Sequence, residues 1–286
     1  MRVMRLRTGQ GRILPCLVDE AGEVRDASAL IPDVGPDTLG TDLFDRLAAA
    51  DVRALPAVPQ GQLALAPPIA RPRTIWCIGL NYADHALEAG LPIPYEPILF
   101  NKSGATFCGP DDPILFAGSM TKLDWEVELG VVIGAPAFGV SPHKALAHVA
   151  GYVVVNDLSE RAWQMERGGQ WVKGKSFPNF CPTGPVLVTP DEVPDVQNLD
   201  MWLDVNGQRM QRGSTSSMIF SVATIVSYLS GFTRLEAGDL ICTGTPPGVG
   251  AGMIPPRWLA PGDVVTLGIA GLGVQRQVVR KIEDVE

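Results

Sequence analysis

Apolar residues in this chain gather in short runs, alternating or continuous, punctuated by glycine, proline and aspartate; that is the pattern of strands and turns. Ile13–Val18 is apolar, Asp19–Glu23 supplies turn chemistry and Val24–Asp26 leads away, so residues 1 to 35 read as short strands. Leu43, Phe44, Leu47 and Ala48 fall at helical spacing and predict a short helix from Thr38 to Ala50. Ile75–Gly79 and Gly151–Val155 are apolar and rich in β-branched residues, as buried strands are, and Asn206–Gly207 between alternating flanks predicts a hairpin. Ser217 is expected to cap a helix through Leu229, stopped by Gly231, with Met218, Val222, Ile225 and Leu229 on its core face. Asp239–Cys242 and the tail from Val264 to Val279 read as strands again. Prolines at 56, 59, 67, 68 and 72 mark an extended connector from Leu55 to Pro72. A boundary is therefore expected near residue 70, with a small β-rich N-terminal unit (1–70) before a catalytic-sized domain (71–286), the whole mainly β with some α.

The pattern is most informative at Leu123–Gly134, where Asp124, Glu126 and Glu128 interrupt an otherwise apolar strand. Side chains alternate along a strand, so Glu126 and Glu128 share one wall. An amphipathic strand with a solvated face would carry the same Glu-x-Glu, but apolar residues on both flanks argue for burial. Buried like charges raise each other's pKa unless a cation lies between them. The apolar run at 151–155 ends in Asn156–Asp157 and delivers a third carboxylate. Three hard oxygen donors suit Mg²⁺ or Mn²⁺ better than Zn²⁺.

Other segments add candidate chemistry. His85 and Glu88, three apart in a predicted helical stretch ended by Gly90 and Pro92, share a helix face, so the carboxylate can orient the imidazole as a general base; the stretch between glycine and prolines has the make-up of a lid. Arg161 and Gln164, four and seven residues past Asp157, stack on one side of a helix and face back toward the carboxylates. Lys175 offsets their charge and can hold a substrate oxyanion. Thr243–Gly250, rich in glycine and proline, can cradle an anionic group, but it lacks the Gly-Lys-Ser/Thr ending of a nucleotide P-loop.

Composition narrows the field. The 286 residues are 46% apolar and 19% charged, enough for a full core, and 23 basic against 31 acidic residues leave a net charge of −8 with no basic block, which speaks against nucleic acid. Met1–Arg7 is followed by no apolar targeting segment and no run approaches membrane-spanning length, so a cytoplasmic protein without membrane attachment is expected. Five cysteines without a Cys-x-x-Cys pair read as small buried hydrophobes, and three histidines are too few for a multi-histidine zinc or iron site.

Taken in order, Gly79–Leu80–Asn81–Tyr82 with His85, Pro97 through Lys102, Gly109–Pro110, Asp124-x-Glu126-x-Glu128-Leu129, Asn156–Asp157, Gly174–Lys175–Ser176, and Thr243–Gly244–Thr245–Pro246 with Gly248–Val249 resemble the fumarylacetoacetate hydrolase family over roughly residues 72 to 283. The resemblance implies a β-roll catalytic domain, a homodimer, and Mg²⁺ or Mn²⁺ held by Glu126, Glu128 and Asp157. It assigns His85 and Glu88 to a lid dyad that activates water, and Arg161, Gln164, Lys175 and Thr245 to the shell around a 2-oxo acid. The implied reaction is hydrolysis of the C–C bond of a 2,4-dioxo acid of acylpyruvate type to pyruvate and a carboxylic acid. An isomerase, an oxaloacetate-type decarboxylase or a ureidoglycolate lyase-like enzyme on the same fold is the alternative, and a metal-bearing protein without catalysis stands behind both. Arg167–Trp171 followed by Gly174–Phe177 looks most like members acting on 2,4-dioxo-3-deoxy sugar acids or grouped with ureidoglycolate lyases. Those relatives often carry an aspartate after the phenylalanine where this chain has Pro178, a departure that bears on loop shape and substrate choice.

Overall fold

Strand Val127–Ile133 is buried along its whole length and is paired on both sides, to Val149–Asn156 and to Leu240–Cys242, both antiparallel. In the computed structural model, which describes residues 1–59, 63–88 and 90–285, it lies within a sheet of ten strands. Their order is Val24–Asp26, Ile13–Val18, Arg2–Arg7, Leu187–Val188, Val149–Asn156, Val127–Ile133, Leu240–Cys242, Ile75–Gly79 and Ile98–Lys102, with Ala64–Ala66 added to Arg2–Arg7. A second sheet of five strands runs Gln208–Ser214, Asp200–Val205, Val264–Ile269, Gly273–Lys281 and Ile114–Phe116. The fold is mainly β with short helices, as the apolar pattern predicts.

Alternation along the central strand closes two cores at once. Val127, Leu129, Val131 and Ile133 pack with Leu203, Val205, Val265 and Leu267 of the second sheet. On the opposite face Val132, Val153, Val155, Leu187 and Leu240 meet Val3, Leu17, Leu43 and Leu47. Strands covered on both faces read as continuous apolar runs, which explains the composition of 149–155. The hairpin falls where expected, with Asn206 and Gly207 both at positive φ (53° and 77°).

Local differences have long-range causes. The helix expected from Ser217 begins at Val222 and ends at Ser230, capped by Ser221, whose hydroxyl accepts from Thr224 N–H at 3.2 Å. Met218 stands outside it, because Asn81 accepts Phe220 N–H through its side chain and Ile219 N–H through its carbonyl, both at 2.8 Å, and so takes the amides of 219–220 across the molecule. The helix within Thr38–Ala50 shortens to Leu43–Ala48, since the Thr38 hydroxyl donates to the Asp33 carbonyl at 3.0 Å and turns the chain before it. The helical stretch at 80–90 is Ala83–Glu88, and the strand expected over 123–134 breaks after Asp124: Leu123–Asp124 pairs with Ser159–Glu160, and Glu126 sits at the break. Within the expected connector Ala64–Ala66 is a strand; residues 60–62 of it, and Ala89 in the expected helical stretch, lie outside the described residues. Among the described residues no helix is long and apolar enough to cross a membrane. All five cysteines are free and buried.

Residues 1–70 continue the main sheet through pairing of Arg2 and Val3 with Val188 and Leu187. Arg5 fastens the returning chain, donating to the Asp33 carboxylate and to the carbonyls of Pro67 (3.0 Å) and Ile69 (2.8 Å). A chain beginning at residue 71 would expose Val132, Val153, Leu187 and Leu240, and is expected to aggregate on expression. A 71–286 fragment that stays monodisperse and unfolds cooperatively in urea would instead show that 1–70 is a separable unit.

Candidate active site and metal centre

The register that opposes Val127 to Asn156 brings the carboxylates together. Asp157 N–H donates to the Glu126 carbonyl at 2.9 Å, continuing the ladder past the strand ends, and the Asn156 side chain accepts Glu126 N–H at 3.2 Å. Glu126, Glu128 and Asp157 are buried, and one oxygen from each lies within 4.8 Å of the others.

Three cations from three segments balance two of them. Lys175, at the end of the helix Val172–Lys175, donates to Glu126 Oε2 at 2.7 Å and Asp157 Oδ2 at 2.6 Å. Lys102, at the end of Ile98–Lys102, donates to the other Asp157 oxygen and to the Leu158 carbonyl. Arg161 opens the helix Arg161–Met165; it donates to Asp124 Oδ2 at 2.8 Å, Glu126 Oε1 at 2.6 Å and the Gln164 amide oxygen at 3.0 Å. Burial works against charge on Glu126, but Lys175 and Arg161 outweigh it and hold the carboxyl well below the usual range. Burial and then the charges of Asp157 and Glu126 push Glu128 well above its usual value. Glu128 accepts Gly244 N–H at 2.9 Å and has no cationic partner among the described residues. An uncompensated buried carboxylate facing two others is what a divalent cation would satisfy, and an oxygen-only donor set fits Mg²⁺ or Mn²⁺.

The loop 243–250 does cradle anions, and these are the protein's own carboxylates. Gly244 serves Glu128, Gly248 N–H donates to Glu88 Oε1 at 2.9 Å, and Gly250 N–H donates to Asp124 Oδ1 at 2.7 Å. Gly248 has φ +101°, and a Cβ there would meet the Met210 carbonyl at 2.0 Å, so no other residue fits the turn. The Thr245 hydroxyl donates to the Val127 carbonyl at 2.9 Å and accepts from the Gln211 amide at 2.8 Å; it lines the cavity while bracing the carboxylate strand.

Glu88 Oε2 faces His85 Nδ1 at 3.1 Å, so one carboxylate both orients the imidazole and latches the short helix to Gly248. His85 and Glu88 line the same cavity as Glu126, Glu128, Arg161, Gln164, Lys175 and Thr245, with a volume of about 310 Å³. Asp157, fully buried, is not among the lining residues; its carboxylate is held by Lys175 and Lys102. Sequence reasoning gave no role to Lys102, Asp124 or Gln211. A signal existed for the first, because Lys102 alternates with Phe100 on the buried face of its strand. Gln211, which accepts Val127 N–H at 2.9 Å, has no local signature.

The chain is similar to known proteins along nearly its whole length. Residues 74–280 match the family described as "Fumarylacetoacetate (FAA) hydrolase C-terminal". A Burkholderia multivorans protein, named only provisionally as a hydrolase, is 52% identical over 271 residues, 94% of this chain and 96% of its own. The solved fumarylacetoacetate hydrolase of Exiguobacterium antarcticum superimposes with a TM-score of 0.87 at 35% identity, covering 98% of this chain and 99% of that one. Maleylpyruvate hydrolase from Sphingobium, solved with manganese(II) and pyruvate, gives 0.81 at 27% identity, covering 98% and 99%.

Titration with Mn²⁺ or Mg²⁺ is expected to raise the melting temperature of the protein in proportion to the logarithm of free ion once the site saturates, and EDTA to reverse it. Glu128→Gln should weaken the ion at least about tenfold and abolish the shift at the same concentration. A wild-type melting curve indifferent to both ions would mean the three carboxylates do not hold one.

Proposed function

The chain belongs to the fumarylacetoacetate hydrolase family, and from that premise we propose that it is a divalent-metal-dependent hydrolase cleaving the C3–C4 bond of a 2,4-dioxo acid of acylpyruvate type. The observation that carries this reading is the His85–Glu88 pair lining one cavity with the carboxylates Glu126 and Glu128. A group that merely isomerises or decarboxylates a 2-oxo acid has no need of an oriented base for water.

In balance, R–CO–CH₂–CO–COO⁻ and water give R–COOH and CH₃–CO–COO⁻. Glu88, as acceptor, favours the tautomer with the proton on Nδ1 and leaves Nε2 as the base. Nε2 takes a proton from water as its oxygen bonds to C4; the C3–C4 bond then breaks, its electron pair passes to C3 as the pyruvate enolate, and the proton returns from His85 to C3. Held by Glu126, Glu128 and Asp157, Mg²⁺ or Mn²⁺ would supply Lewis-acid stabilisation of the charge on the 2-oxo acid oxygens. The Lys175 ammonium, fixed between Glu126 and Asp157, lies where it can share that charge, and Arg161 with Gln164 shapes the adjoining wall.

The test is pyruvate release from 2,4-dioxopentanoate with Mn²⁺ or Mg²⁺. His85→Ala is expected to lower kcat by roughly 10²- to 10⁴-fold, the usual worth of a positioned base, and chelation to abolish turnover. Pyruvate from oxaloacetate alone, undiminished in His85→Ala, would replace hydrolysis with decarboxylation.

A further inference from the structure

The cavity is polar at its floor and apolar above it. Glu126, Glu128 and Lys175 at the floor are at most 5% exposed, whereas Leu91 and Met165, which line the same cavity, are 44% and 55% exposed and so stand at its mouth. Between them the wall is Leu80, Phe100, Trp171 and Val249. Phe100 and Trp171 meet edge to face at 5.3 Å, and the Trp171 ring lies against Gly79, where a Cβ would come within 2.5 Å of it, so this wall is fixed by packing.

Every cationic side chain that lines the cavity is already engaged by protein carboxylates: Lys175 by Glu126 and Asp157, Arg161 by Asp124 and Glu126, His85 by Glu88. With its acid head at the floor, a 2,4-dioxo acid would extend its C4 substituent along the wall of Leu80 and Trp171 toward Leu91 and Met165. Among the described residues lining the cavity, a carboxylate on that substituent would meet apolar side chains and the Glu88 carboxylate with no free cation, and a polyhydroxylated one would find only the Gln164 amide and Glu88 for its several hydroxyls.

Resting on the hydrolase reading above, we propose that the group beyond C4 is neutral and apolar, a short alkyl or aryl chain, and that Leu91, Met165 and Trp171 select it. This departs from the sugar-acid tail that the segment 167–177 suggests from sequence alone.

The experiment measures kcat/KM for pyruvate release from 2,4-dioxopentanoate, 2,4-dioxoheptanoate, 4-phenyl-2,4-dioxobutanoate, 2,4-dioxohexanedioate and a 2,4-dioxo-3-deoxy sugar acid, using wild type and Met165→Lys. Expected are a rise of about three- to fourfold per added methylene, a preference of roughly tenfold or more for neutral apolar tails over the carboxylate tail, and a shift of that ratio toward the carboxylate tail in Met165→Lys. The ratio is internal to each variant and is insensitive to partial misfolding. Equal or greater kcat/KM for the carboxylate or sugar-acid tail in wild type would overturn the tail assignment and leave the hydrolase intact. Pyruvate from no member of the panel would overturn the hydrolase reading and the tail assignment with it.

Discussion

Three carboxylates crowded beneath the surface repel one another, and the surrounding chain is arranged to answer that repulsion. At an effective dielectric of about 20, like unit charges about 4 Å apart cost about 4 kcal/mol, a large fraction of the stability of an ordinary domain. Lys102, Lys175 and Arg161 converge on Glu126 and Asp157 from the end of a strand and from two short helices. Each of these segments is placed by a need for charge as much as by apolar packing. Glu128 is left with a single amide donor, and that asymmetry marks where further positive charge belongs.

The same arrangement ties the geometry of the candidate site to the sheet. Val127 gives its N–H to Gln211 and its carbonyl to Thr245, while Gln211 also donates to Thr245 and to the Pro246 carbonyl. The loop 243–250 is thereby fixed to the strand carrying the carboxylates, and Glu88 docks on that loop. A shift in any one of these elements would carry the imidazole and the carboxylates apart.

Much of this could be read from the sequence because it depends on local periodicity. The period of two put Glu126 and Glu128 on one wall, the apolar run at 151–155 pointed to Asp157 beyond its end, and the spacing of Arg161 and Gln164 put them on one side of a helix, where they touch. What could not be read depends on bonds between distant residues. Asn81 holding the amides of 219–220 moved a helix cap from Ser217 to Ser221, and a glycine-rich loop that could cradle an anionic group spends its amides on Glu128, Glu88 and Asp124. Lys102 was visible as a lysine on an apolar strand face, but its partner was not.

Cys16, Cys77 and Cys242 lie in the ten-stranded sheet, and Cys108 and Cys181 on the separate paired strands Phe107–Cys108 and Cys181–Pro182. Cys16 lies on Ile13–Val18, next to one edge strand, while Cys77 and Cys242 oppose each other on adjacent parallel strands toward the other edge, the Leu240–Cys242 strand pairing directly with Val127–Ile133. Burial pushes the Cys16 thiol up to about 12 and, despite a hydrogen bond with Cys242, the Cys77 thiol up to about 11. Only the thiolate reacts, so alkylation of either awaits an opening of the strands around it. The protein thus carries its own clocks, one toward each edge of the sheet: modification of Cys16 times the opening of the N-terminal strands, and modification of the Cys77–Cys242 pair times the opening of the strands that adjoin the carboxylate strand.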